Sequence, residues 1–366
     1  MENHASLESL RGQIDALDAR IVQLLNDRAR IAKEIGELKR QTNTGVYHPD
    51  RESQIYRHVV SENKGLLPNA SLVAIYREIM ACSRALERPI KVAYLGPVGT
   101  FSYVAARRNF GPTVDYLSQR TIESVFREVA MKRTDFGIVP VENSSEGGIR
   151  ETLQMFLEFD VKVCAEVVLP IHHSLLTSSP EGSIRKIYSK PQVFAQCKNW
   201  LANHFAEAEL LEVGSTTEAA RLAKKETDSA AIAHKEVAEL YDLNVLYENI
   251  ENSLTNVTRF FVLGENYPGP SGQDKTAIMC YIKNQVGALY GLLHPFKSYC
   301  INLTSIESLP SRRKAWDYSF YVELEGHASE PRVCKALNKV EKRCLELRIL
   351  GSFPRSEPSP GGGLED

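Results

Sequence analysis

The chain has 366 residues, 43% hydrophobic and 25% charged, a globular composition long enough for two or three domains rather than one. Its 44 Lys and Arg nearly balance its 46 Asp and Glu, so no whole-chain field draws it to nucleic acid or an anionic membrane, and small-molecule chemistry is the better expectation. Seven scattered cysteines without a CxxC pair read as core thiols. Neither a signal-peptide pattern nor an apolar run near the roughly 20 residues of a membrane span occurs, so a cytoplasmic location is expected.

From Leu7 to Leu38, Leu10, Ile14, Leu17, Ile21, Leu24, Leu25, Ile31, Ile35 and Leu38 recur at three- and four-residue steps without proline, which predicts one long helix. Asn43, Gly45 and Pro49 break it. Asp50 is the expected cap of a second helix through Val60, and Pro68-Asn69 precede a third running to about Leu86. Three helices of such unequal length cannot bury the long one within one subunit, so dimerisation through it is expected.

Arg28 and Lys39, eleven residues apart, fall within about 20° on one helix face and can converge on one ligand. Arg11, seventeen residues before Arg28, lies roughly 100° round the helix and can serve a different site if helices pair across a dimer. Asp50, Arg51 and Glu52 open the second helix, and Ser83 and Glu87 share a face of the third at i and i+4. Any one of these arginines alone reads as a solvated helix face.

Together they make residues Leu7 to Glu87 resemble the all-helical chorismate mutases fused to prephenate dehydratase. The resemblance implies that Arg11, Arg28, Lys39, Arg51, Glu52, Ser83 and Glu87 line a chorismate pocket, with Arg11 entering from the partner subunit. Chorismate is a dianion that rearranges without nucleophile, metal or cofactor, so binding and electrostatics supply the acceleration. By the resemblance, Arg11 and Arg28 hold its carboxylates and Lys39 donates to the ether oxygen. Two residues depart from the pattern. His48 stands where some members have an acid, and Glu87 where some have glutamine, so mutase activity is expected to favour acidic pH and Glu87→Gln to raise it at neutral pH.

At Arg88-Pro89 the pattern changes, and VAYLG (Val92 to Gly96) is a short apolar strand ending in a turn. Strands such as FGIVPV and AAIA alternate with helical stretches at Ile122 to Met131 and Thr217 to Lys225, which predicts an α/β layer architecture to about Gly264. VAYLGPVGTFS ends in a turn able to face an anion, with Thr100 and Ser102 adding hydroxyls; it reads equally as a bland tight turn. FGIVPVENSSEGG places Glu142, Asn143, Ser144 and Ser145 before a helix whose N-terminus favours negative charge; read neutrally, Ser144 or Ser145 is only an N-cap. His172 and His173 follow in IHHSLL, and NVTRFFVLG puts Thr258 and Arg259 at a strand entrance before Phe260 and Phe261.

These strings, with IYSKPQVFAQC and AAIAHKEVAELYDL, resemble prephenate dehydratase across Val92 to Gly264, which implies a two-lobed, periplasmic-binding-protein-like α/β domain. The reaction expels the ring hydroxyl as water and the ring carboxylate as carbon dioxide, and one proton donor with good positioning suffices. The resemblance implies Thr258 as that donor or its positioner and Arg259 as organiser or anchor of an anion, with Phe260 packed nearby. Asn143 and Ser144 then bind prephenate, and Thr100 lies in the cleft. Val98, Tyr103, Lys190 and Asn252 depart from many relatives and receive no role.

GENYPGPSGQ (Gly264 to Gln273) is a linker, and the next eighty or so residues read strand, helix, strand, strand, helix, strand. Lys275 to Pro354 resembles the α+β, ferredoxin-like ACT domain. The resemblance implies a phenylalanine site at a dimer interface, built from the Gly287, Ala288, Leu289 turn and a second turn containing Glu307 and Ser308. Leu309 replaces an arginine of that second turn, with Arg312 and Arg313 close behind. The expected domains are thus 1–88, 91–264 and 274–355, with a disordered tail at 356–366. The implied function is conversion of chorismate to prephenate and then to phenylpyruvate in phenylalanine biosynthesis, with feedback by phenylalanine in a homodimer or larger homo-oligomer. Rival readings are an arogenate dehydratase and a non-catalytic amino-acid sensor.

Overall fold

The computed structural model describes residues 7–41, 45–145, 147–253, 255–310 and 318–356, so Arg312, Arg313 and tail residues 357–366 lie outside the described part. Two compact units divide the chain.

The helical unit is formed by α1 (Leu7–Gln41), most of α2 (Pro49–Glu62) and α3 (Asn69–Glu87). Helix α2 starts one residue before the expected cap. His48 holds the N-cap position without a side-chain capping bond, Pro49 supplies the first-turn φ, and Asp50 stands in the first turn, where its charge suits the helix dipole. Only Gly36 is buried on α1. Its apolar stripe is uncovered, with Ile14, Leu17 and Leu24 each nearly 60% exposed and Ile21 and Ile31 more than half.

The second unit opens with β1 (Lys91–Leu95), α4 (Phe101–Phe110), β2 (Asp115–Gln119), α5 (Ile122–Ala130), β3 (Phe136–Asn143), β4 (Gly147–Gly148), α6 (Arg150–Glu158) and β5 (Lys162–Pro170). The chain then builds another lobe from β6 (Ser174–Thr177), β7 (Lys186–Ser189), α7 (Pro191–Gln196), α8 (Lys198–His204), β8 (Glu209–Glu212), α9 (Thr216–Lys225), β9 (Ser229–Ala233), α10 (Glu236–Tyr241) and β10 (Asn244–Tyr247). It returns as β11 (Val257–Gly264) into the middle of the first sheet, whose order is β2-β1-β3-β11-β5 with β4 paired to β3; the other lobe's sheet runs β10-β6-β9-β7-β8. Two lobes joined by two chain crossings follow from that return. Strand β11 is antiparallel to both β3 and β5, buried between them, which explains its almost continuous apolar run.

The C-terminal module is β12 (Asp274–Ile282), α11 (Ala288–Ser298), β13 (Leu303–Pro310), β14 (Tyr318–Glu325), α12 (Pro331–Glu341) and β15 (Glu346–Pro354), with strand order β13-β14-β12-β15, the ferredoxin-like arrangement. One face of its sheet carries Ile278, Val322 and Leu324 against Leu292 and Phe296 of α11 and Val333 of α12. The other face places Met279, Tyr321 and Phe353 in one core with Val139, Leu153 and Phe261 of the first lobe. At Gly351 an added Cβ would lie 2.1 Å from the Val163 carbonyl oxygen, so only glycine lets β15 close on β5 there.

Three expectations are corrected. Glu307 and Ser308 do not form a turn: β13 continues through Pro310, pairing Glu307 with Tyr321 and Ser308 with Phe320. Cys82, Cys300 and Cys334 are exposed, whereas Cys164, Cys197 and Cys280 are core thiols. Ser356, expected in a disordered tail, is held in place, its N–H donating to Glu166. No helix among the described residues is long and apolar enough to cross a membrane.

Candidate active sites

In the helical unit, α1 and α3 meet where Gly36 has no side chain: a Cβ there would approach the Glu87 side chain to 2.8 Å. One turn further along α1, the Lys39 ammonium donates to the Glu87 carboxylate at 3.0 Å. Three turns earlier, Arg28 donates to the Ser83 hydroxyl at 2.5 Å and to the Met80 sulfur. The geometry therefore brings Arg28, Lys39, Ser83 and Glu87 together along one groove. Arg11 is exposed on α1, about 25 Å along the helix from Arg28 at 1.5 Å per residue, so it cannot reach this groove within its own chain. In the first turn of α2, Arg51 is exposed and bonded to Gln54, while Glu52 is buried. The His48 ring, at the position where some members of the resembled family have an acid, donates to the Gly45 carbonyl at 2.6 Å.

The second constellation sits where β11 enters the first sheet. Thr258 pairs with Asn143 across β3 and β11, and the Asn143 amide donates to the Thr258 hydroxyl oxygen at 2.8 Å. The hydroxyl accepts there, so its own proton is left for another acceptor. The other end of the Asn143 side chain accepts the Ser145 N–H at 2.9 Å, which fixes the amide's orientation. Ser144 is tied into the ladder end: its hydroxyl accepts the Val257 N–H at 3.0 Å and donates to the Asn256 side chain. Neither serine caps α6, whose N-cap is Ile149. Phe260 is buried two residues along, on the face that Thr258 uses.

Thr100 is spent inside its own turn. Its hydroxyl donates to the Leu95 carbonyl at 2.9 Å and accepts from the Tyr103 N–H, so it acts as the anchor of α4. The adjacent Val98 carbonyl accepts from Thr217 on α9 of the other lobe.

Arg259 departs most from expectation. Successive strand residues face opposite sides, and its guanidinium lies on the side away from Thr258. There it meets Glu142 on β3, Glu166 on β5 and, through both terminal nitrogens at 2.6 Å each, Glu323 on β14 of the C-terminal module. Three carboxylates thus surround the group expected to organise or anchor an anion. Burial works against the Arg259 charge, but bonding to Glu323 outweighs it and holds the guanidinium pKa above its ordinary value. Burial likewise pushes Glu323 upward, and the bonds from Arg259 bring it net below the ordinary carboxylate range.

Sequence reasoning missed Glu142, Glu166 and Glu323 as partners of Arg259. It also missed the cluster at the lobe crossing, where Glu251 accepts from the His172 ring at 2.7 Å and the His173 N–H at 2.9 Å, and the His173 ring meets Gln196. The adjacent histidines of IHHSLL are the one signal that pointed there. In the module, alternation along β13 sends Glu307 toward the first lobe, against Gly148, and Ser308 toward the helix layer that begins with Gly287, Ala288 and Leu289. Leu309 is wholly buried in the shared core.

Residues 10–88 match the family chorismate mutase type II, and residues 92–268 match the family prephenate dehydratase. The bifunctional chorismate mutase/prephenate dehydratase of Aquifex aeolicus is 44% identical over 355 residues, spanning 96% of this chain and 98% of its own. That of Pseudomonas aeruginosa is 43% identical over 363 residues, spanning 97% and 100%. The solved prephenate dehydratase of Arthrobacter aurescens, in complex with L-Phe, superposes with a TM-score of 0.68 at 29% identity, covering 73% of this chain and 90% of its own.

Proposed function

The chain belongs to the bifunctional chorismate mutase/prephenate dehydratase family, and from that premise we propose that it rearranges chorismate to prephenate on its helices and converts prephenate to phenylpyruvate between its two lobes. The observation that carries the second step is the Asn143 to Thr258 hydrogen bond, which presents a threonine proton at a fixed point on a rigid sheet.

In the first step no bond to the protein forms. Arg28 grips a carboxylate of the dianion and Lys39 donates to the ether oxygen as its bond to carbon breaks, so the field is strongest where charge develops. The second carboxylate falls to Arg11 of a second copy, because α1 leaves its apolar stripe uncovered and an uncovered stripe of that length requires a partner helix. The protein is therefore a homodimer through α1.

In the second step Thr258 holds its hydroxyl against the departing ring hydroxyl, which leaves as water while the ring carboxylate leaves as carbon dioxide. Aromatisation drives both. A threonine hydroxyl is a weak acid at neutral pH, so its contribution is a preorganised hydrogen bond that strengthens as the leaving oxygen gains charge. Asn143 and Ser144 shape this corner, and Phe260 packs beneath it.

The C-terminal module is an ACT domain that senses phenylalanine, a reading supported by its ferredoxin-like order and by the L-Phe complex of the Arthrobacter relative. Gly287, Ala288, Leu289 and Ser308 belong to the helix side of the module, where phenylalanine binds between two copies. Glu307 faces the first lobe, against Gly148. The domains are 1–88, 91–264 and 274–355, working in the cytoplasm.

Feeding purified protein with chorismate and following prephenate and phenylpyruvate separately, with and without phenylalanine, tests the reading. Both products should form in sequence and phenylalanine should suppress the second; chorismate left intact would overturn the mutase half.

A further inference from the structure

Thr258 and Arg259 are neighbours on β11, yet Arg259 is held by the C-terminal module. Its side chain is 12% exposed, and the Glu323 side chain that pairs with both of its terminal nitrogens is 1% exposed. The buried Tyr321 phenol donates to the same Glu323 carboxylate. Glu166, fully buried, ties the joint from the dehydratase side by accepting from Arg259, from Lys275 and from the Ser356 N–H. Bidentate pairing fixes the plane of a guanidinium as well as its distance, and a buried carboxylate without its partner would be strongly unfavourable. The arrangement therefore has one geometry.

We propose, on the reading that Thr258 serves the dehydratase step, that Glu323 is a positioning residue of that site, supplied by the C-terminal module. By locking Arg259, Glu323 fixes the backbone of β11 at the peptide it shares with Thr258, and so sets where the threonine hydroxyl points on the opposite face of the sheet. Small displacements matter there: about 1 Å of misplacement costs on the order of a hundredfold in rate. The module thus contributes to catalysis itself, in addition to any effector it binds.

Full-length chains carrying Glu323→Gln, Arg259→Gln and both changes are assayed for prephenate and for chorismate turnover. Glu323→Gln should lower kcat on prephenate about tenfold, the effect of one lost charge-assisted hydrogen bond, with KM nearly unchanged. Chorismate turnover should stay at the wild-type rate, which reports that the helical unit is intact, and circular dichroism and thermal melting report the fold of the rest of the chain. The double variant should be no slower than Arg259→Gln alone, because Glu323 works through Arg259. If Glu323→Gln does not fold, Tyr321→Phe removes only the supporting phenol bond and should lower kcat about threefold. Unchanged kcat in either folded variant, even with a lowered melting temperature, overturns the proposal, as do Glu323 and Arg259 effects that multiply independently. A wild-type chain inactive on prephenate would instead overturn the dehydratase reading.

Discussion

The Lys39 ammonium lies 3.0 Å from the Glu87 carboxylate, so the cation assigned to the breaking ether bond is already neutralised in the free protein. A carboxylate beside a developing negative charge opposes the reaction, whereas the same group carrying a proton, or a glutamine amide, donates to it. Glu87→Gln should therefore raise mutase kcat/KM at pH 7 by up to about tenfold. Lys39→Gln should cost about a hundredfold or more. Steady-state kinetics on chorismate decide the matter, and a Glu87→Gln rate at or below that of wild type would sink the idea.

Thr258→Ala should lower dehydratase kcat by about a hundredfold, the effect of one removed donor aimed at developing charge, while chorismate consumption continues. Prephenate then accumulates in a chorismate feed. Thr258→Ser keeps the hydroxyl and should retain most activity, and Asn143→Ala, which frees that hydroxyl to rotate, should fall between the two. Separate quantification of the two products checks the order. A Thr258→Ala chain that forms phenylpyruvate at the wild-type rate would remove Thr258 from the reaction.

The long helix was legible because the apolar residues of α1 keep a helical period, and the structure leaves that apolar stripe exposed. The facing of Arg259 was not legible. Strand β11 is buried on both sides, so its run FFVLG carries no polar alternation to mark which face is which, and the carboxylate that claims the guanidinium lies 64 residues away on β14. The Glu307 to Pro310 stretch read as a turn because the resemblance to the ACT domain places one there. Pro310 closes β13 as an edge strand of its sheet, a place where a missing N–H is tolerated, and Leu309 extends the strand by burying itself in the core. Thr100 was legible as a hydroxyl at a turn, but its partners, Leu95 and Tyr103, depend on how that turn closes.

His234 is packed against Phe101, and burial, reinforced by Lys235, His172 and His173, pulls its pKa down to about 4 from 6.5. Burial also lowers His173. A histidine depressed in the folded state takes up its proton in the unfolded chain first, so this stability is present above pH 6.5 and is lost as pH falls toward 4. For His234 the loss amounts to about 3 kcal/mol across that window. Urea unfolding of the two-lobed region at pH 7, 6, 5 and 4 should show the fall, and His234→Asn should reduce its slope. Parallel slopes for the two proteins would rule His234 out as the source.

Arg11 and Arg28 give the sharpest test of the shared mutase site. If Arg11 of one chain completes the groove of the other, Arg11→Ala and Arg28→Ala homodimers each lack a residue in both sites and should be nearly inactive on chorismate. A mixed dimer differs: both defects fall in one site and the other is intact. Random re-pairing of equal amounts makes half the dimers mixed, so activity should recover to about a quarter of the wild-type value. Dehydratase turnover should stay constant throughout. Mixing that restores nothing, under conditions where tagged chains are seen to exchange, would mean that Arg11 serves its own chain or none. An Arg11→Ala homodimer with full mutase activity would exclude it from the site altogether.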